Sequence, residues 1–109
     1  MAALLVAGTG AYVGVRTLAQ RANRIRQRAQ FHARRAAMFQ KSIGSKERAA
    51  ADCEAYGGER MLRIAAEYRA EVKLCVRLAE YHNRLLEKYE RAAASPWLPI
   101  AADPPEPAP

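Results

Sequence analysis

Residues 46–94, KERAAADCEAYGGERMLRIAAEYRAEVKLCVRLAEYHNRLLEKYERAAA, decide how this chain folds. Within them Met61, Ala65, Tyr68, Val72, Cys75, Ala79, His82, Leu86 and Tyr89 recur at alternating steps of four and three. That spacing places them on one face of a helix, as a heptad-like stripe. Leu74, Leu78, Tyr81 and Leu85 form a second row that widens the stripe beyond a minimal two-stranded seam. Charged residues fill the other faces. Glu80 with Arg84 and Glu87 with Arg91 are favourable pairs at four residues, while Glu67 and Glu71 repel mildly. Ser45 offers an N-cap without a capping box, and Ser95 before Pro96 ends the helix. Gly57 and Gly58 are the weak point: an interior glycine costs about 1 kcal/mol relative to alanine, so a kink or break is expected there. Unbroken, the helix would be about 73 Å long, too long for a compact domain of this size.

The same stepping continues upstream through Leu4, Gly8, Ala11, Val15, Leu18, Ala22, Ile25, Ala29, His32, Ala36 and Phe39. This predicts a first helix over residues 3–41, with a small-residue seam that permits close approach of a neighbour. Residues 42–45, SIGS, read as the turn, since Gly44 can take the left-handed conformation that ends a helix. A short connection favours antiparallel neighbours. The expected fold is therefore all-α: an elongated two-helix hairpin, with helices over 3–41 and 46–94. The packing seam is expected at Leu18, Ile25, Phe39, Tyr68, Val72, Leu86 and Tyr89.

The chain of 109 residues is one domain at most, rich in alanine and arginine and poor in β-branched clusters, which argues against a sheet. Alanine supports helix but buries little area, so the core should be thin. The net charge of +7 is unevenly spread. Residues 1–46 hold nine Lys or Arg and no acid, whereas residues 47–109 hold nine basic and eleven acidic residues. Positive charge in the first part suits a membrane surface, a nucleic acid, or the acidic part of a second copy.

Residues 1–15, MAALLVAGTGAYVGV, carry no charged side chain. A cleaved signal peptide is disfavoured because no positive region precedes the apolar run. Gly8, Gly10 and Gly14 miss the dinucleotide-binding spacing, and no later strands exist to build its sheet. A short membrane helix, extending to Ala19 if Arg16 snorkels, is the preferred reading, against an apolar helix end packed in a soluble bundle or an organelle presequence. Arg16, Arg21, Arg24, Arg26 and Arg28 then form the basic flank of a cytoplasmic boundary, with the N-terminus outside and the C-terminus inside.

No motif for chemistry emerges. Cys53 and Cys75 would lie about 33 Å apart on one helix, too far for a disulfide. His32 and His82 fall on the seams without the close ligand spacing a metal site needs. Neither a nucleophile–base pair nor paired carboxylates can be argued, so an enzyme, a metal and a cofactor are not expected. The tail, SPWLPIAADPPEPAP, holds all six prolines and reads as extended chain, with Trp97 and Leu98 as candidates to dock on the end of the long helix.

One stretch carries a resemblance. Tyr81-His82, Leu85, Lys88-Tyr89-Glu90-Arg91-Ala92-Ala93, Pro96-Trp97-Leu98-Pro99 and Asp103-Pro104-Pro105-Glu106-Pro107 together resemble the ending of many short uncharacterised proteins of planctomycete bacteria. It covers roughly residues 80–107, with Ile100-Ala101-Ala102 where valine and another proline are more usual. The resemblance implies a bacterial origin, argues against an organelle presequence and brings no activity. The expectation is a non-enzymatic, membrane-tethered helical module at a bacterial inner membrane, its C-terminal part cytoplasmic. It would associate with itself or with another helical protein, and meet an anionic membrane. The alternative is a soluble, cytoplasmic adaptor that binds nucleic acid through the Arg-rich helix.

Overall fold

The chain reverses at Gly57 and Gly58. Both have positive φ, +79° and +93°, a region that side-chain-bearing residues rarely enter. Gly57 closes the preceding helix through its N–H to the carbonyl of Cys53 at 3.1 Å. Gly58 accepts from the N–H of Leu62 at 3.0 Å and opens the next helix. The computed structural model describes the backbone of residues 2–109 and the side chains of residues 14–109. Its two helices are α1, Ala2–Tyr56, and α2, Glu59–Ala94. No strand occurs among the described residues, and the molecule measures 86 × 19 × 15 Å.

The all-α, elongated two-helix hairpin is as expected, but its turn is not at residues 42–45. Those residues are helical, inside α1. Partial burial and two contacts of the surrounding turns hold α1 continuous there. Ile43 is half-buried, Ser42 lies 3.9 Å from the Cys75 thiol, and the neighbouring Lys46 pairs with Glu71 at 2.7 Å. A single glycine costs a helix about 1 kcal/mol, which contacts of this kind offset. Two consecutive glycines with no packing partner are a stronger break.

The buried stripe of α1 is Ala22, Ile25, Ala29, His32, Ala36 and Ala50; that of α2 is Ala65, Cys75, Ala79, His82, Leu85, Tyr89 and Ala93. Of the seam residues named from the pattern, Ile25 and Tyr89 are buried, while Phe39, Tyr68, Val72 and Leu86 are half-buried. Leu18 is exposed, because α2 ends before reaching it. The alanine-dominated interface is thin, and an apolar cluster sits at the open end: Ile25, Ala29, Leu85, Tyr89 and Ala93, with Ile100 of the tail packed on it. Across the turn end, Arg69 bonds Glu54. The expected pairs Glu80–Arg84 and Glu87–Arg91 approach to 3.8 and 3.9 Å at the surface, where such pairs add little.

The helices differ in length, and this positions everything that follows. With α2 ending at Ala94, opposite the region of Arg21, residues 2–20 of α1 run on beyond the hairpin for about 28 Å. Side chains 14–20 of this overhang are all exposed.

Candidate functional site

After α2 a tight turn, with the Leu98 N–H donating to the carbonyl of Ser95 at 3.1 Å, redirects the chain. The tail then runs back along the hairpin, antiparallel to α2. Arg21 donates to the Leu98 carbonyl at 3.1 Å, Lys88 to the Ala101 carbonyl at 2.5 Å, and Tyr81 to the Pro104 carbonyl at 2.9 Å. Proline suits such a strap: it lacks an N–H to satisfy, and its fixed φ lowers the entropy lost on docking.

Asp103 is the centre of the clasp. Its carboxylate accepts from Lys88 at 2.6 Å, from the Tyr89 hydroxyl at 2.7 and 2.8 Å, and from Arg28 at 3.2 Å. One acid thus ties the tail to both helices. Burial pushes its pKa up, but the hydrogen bonds from Lys88 and Tyr89, with the charges of Lys88 and Arg28, outweigh this and hold it below the ordinary value. Tyr89 responds oppositely: burial, then the bond to Asp103, raises its pKa. Arg28 also stands over the Tyr89 ring, 5.0 Å from its centroid.

Two turns below lies a buried histidine pair, His32 Nδ1 and His82 Nδ1, 2.8 Å apart. That contact has room for one proton, so one ring donates and the other accepts. The Nε2 of His82 faces Glu106 of the tail at 3.5 Å, too poorly aligned for a hydrogen bond but close enough to favour N–H there. The consistent assignment places Nε2–H on His82 and Nδ1–H on His32, leaving the buried His32 Nε2 without a partner. Tyr89 stacks on His32 and Phe39 on His82, with centroids 5.6 and 5.8 Å apart. Burial and then the neighbouring His82 lower the His32 pKa. Among the described residues no group of three His, Cys, Asp or Glu side chains could hold a metal.

The flank arginines fall into three environments. Arg21 and Arg28 hold the tail, and Arg26 donates to the side chain of Asn23 at 3.1 Å. Arg16 lies on the overhang and Arg24 one turn beyond Arg21, both exposed. Trp97 and Leu98, expected to dock on the helix end, are instead 64% and 53% exposed. Ile100 and Asp103 make the attachment, because the turn after Ala94 swings the preceding pair outward. Charge is polarised along the rod. Residues 46–73, the turn end, hold six basic and six acidic residues, so the net charge of +7 comes from the rest of the chain, residues 1–45 and 74–109. No helix among the described residues is long and apolar enough to cross a membrane. The span expected over residues 1–19 falls mainly on residues 1–13, outside the described side chains.

The fold and its contacts define a tail-clasped helical hairpin with one helix projecting from its basic end. Comparison with protein-family models, curated proteins and solved structures finds no match to this chain.

Proposed function

We propose that this chain is a membrane-tethered helical interaction module without catalytic activity. The observation that carries the reading is the overhang. A helical segment of about 28 Å extends past the packed hairpin, and its uncharged part, residues 2–15, spans about 21 Å of a hydrocarbon core about 30 Å thick. Its first part carries no charge and its base is ringed by Arg16, Arg21 and Arg24. A basic collar at the end of an apolar helix is the pattern of a cytoplasmic boundary. The hairpin then stands in the cytoplasm of a bacterial cell, turn end outermost. The resemblance at residues 80–107 fits this picture, since Tyr81, His82, Lys88, Tyr89, Asp103 and Glu106 all belong to the clasp. We read such an ending as a strap that closes a helical hairpin.

The partner face is the side the tail leaves open. A groove of about 480 Å³ runs between the helices there, lined by Ala29, Ala33, Leu86, Ala93 and Ala94, with Arg26 and Glu90 at its rim. Small residues admit a helix closely, and across a two-fold axis Arg26 of one copy would meet Glu90 of another. The occupant that fits is a second hairpin.

Cell fractionation tests the tether. The full chain should sediment with membranes and resist extraction by high salt, and deletion of residues 2–15 should release it. A full-length protein that stays in the soluble fraction rejects the reading. The concentration of positive charge at the open end favours a second reading, a nucleic-acid adaptor. It requires retention on immobilised DNA or RNA that falls steeply with salt.

A further inference from the structure

Where α1 leaves the hairpin, Trp97 and Leu98 are turned outward at the level of Arg21, whose guanidinium holds the Leu98 carbonyl. Beside them a groove of about 620 Å³ opens between α1 and the tail, bordered by Thr17, Arg21, Arg24, Arg28, Tyr89 and Ile100. Arg21, Arg24 and Arg28 are spaced by three and four, which sets three guanidinium groups along one edge of this groove. The acid facing them, Asp103, is occupied by Lys88, Tyr89 and Arg28. Arg24 makes no hydrogen bond or ion pair among the described residues, and both of the fold's contacts at Arg21 and Arg28 leave further N–H donors. A tryptophan and a leucine, exposed together next to an arginine-lined groove, pair the two chemistries of a membrane interface: an amphipathic aromatic for the headgroup layer and cations for phosphate.

We infer that the Ser95–Leu98 turn and the Arg21, Arg24 and Arg28 groove form an anchor for anionic phospholipid, with the lipid phosphate in the groove and Trp97 and Leu98 seated among the headgroups. The inference rests on the tether reading for its orientation, since the overhang delivers this turn to the bilayer surface. It adds a lipid preference and a fixed angle between rod and membrane, which a single helical tether would leave free.

Trp97 is the only tryptophan, so its fluorescence reports this turn alone. The full chain would be combined with vesicles of phosphatidylcholine, with vesicles containing phosphatidylglycerol, and with inorganic phosphate, the lipids carrying bromine at shallow or deep acyl positions. The expected result is a blue-shifted Trp97, quenched best by shallow bromines and only when phosphatidylglycerol is present. Arg24→Gln, which removes no contact of the fold, should weaken the headgroup association about fivefold. Co-flotation with vesicles while Trp97 remains unquenched overturns the inference and leaves the tether standing. Failure to float with phosphatidylcholine removes the tether, and quenching that persists with phosphatidylglycerol still supports the anchor. A Trp97 response to inorganic phosphate that displaces the vesicles overturns the lipid assignment, as does insensitivity to Arg24→Gln.

Discussion

At the scale of single residues the molecule depends on two polar contacts, one inside the thin apolar seam and one where the tail crosses the hairpin. The His32–His82 bond is internal to the core, so removing one partner strands the other without a hydrogen bond. His32→Leu or His82→Leu should each cost about 1–3 kcal/mol, while the double variant should cost much less than the sum. Thermal unfolding followed by circular dichroism, arranged as a double-mutant cycle, checks this; additive losses would mean that the rings do not share a proton. The same group fixes a pH dependence. His32 is faced by His82, Tyr89, Asp103, Arg28 and Lys88, and its pKa in the fold is lowered from 6.5. The unfolded chain therefore binds the proton first. Its stabilising contribution is complete above about pH 6.5 and is lost progressively as pH falls towards the depressed value. Asp103 follows the same sign at lower pH: its contribution holds above about 3.8 and is lost below it. A melting temperature that falls in these two stages is expected, with His32→Gln abolishing the upper one. Asp103→Asn should cost about 2 kcal/mol and free the tail to proteolysis while α1 and α2 remain helical.

At the scale of elements, the glycines distinguish a turn from a tolerated defect. At Gly57 and Gly58 an added methyl would meet no neighbour, so space is not the constraint; the positive φ is. Alanine at either position should destabilise the hairpin by about 1–2 kcal/mol. At Gly44 a Cβ meets only the end of the Arg48 side chain, at 3.6 Å, and the backbone is helical. Gly44→Ala should therefore stabilise by roughly 0.5–1 kcal/mol, and chemical denaturation of the three variants separates the two cases. The contrast shows how far the sequence could be read. Both stripes were visible in the steps of four and three, and they survive because a long, repetitive apolar period has only one helical solution. SIGS and YGG are both plausible local breaks, so the local pattern alone puts the turn at residues 42–45. What separates them is a contact between distant residues, Lys46 with Glu71, and such pairings are invisible to local pattern. The clasp is hidden from the sequence for the same reason. Asp103 sits in an apparently featureless proline-rich tail, and only the return of that tail to Lys88 and Tyr89 reveals its role. The outward swing of Trp97 and Leu98 depends on one turn of backbone, which composition does not encode.

At the scale of the whole molecule, unequal helix lengths and unequal charge point the same way. A rod 86 Å long whose turn end carries no net charge, with its +7 over the remainder, should orient in the field of an anionic surface whatever its partner. If the overhang is buried in lipid, every other part of the chain lies on the cytoplasmic side, and the cysteines can report it. Cys53 is half-exposed, one turn from the hairpin's tip and far from the arginine collar, whereas Cys75 is buried against α1. A charged, membrane-impermeant maleimide should leave Cys53 unmodified in intact cells and modify it in inverted vesicles, with Cys75 slower in both because its access requires the helices to part. Tethering in the opposite orientation would reverse the first result. Equal labelling in intact cells and inverted vesicles would show that the hairpin has no fixed side. Cys53→Ser removes the signal and identifies its source, and no contact of the fold depends on that thiol among the described residues.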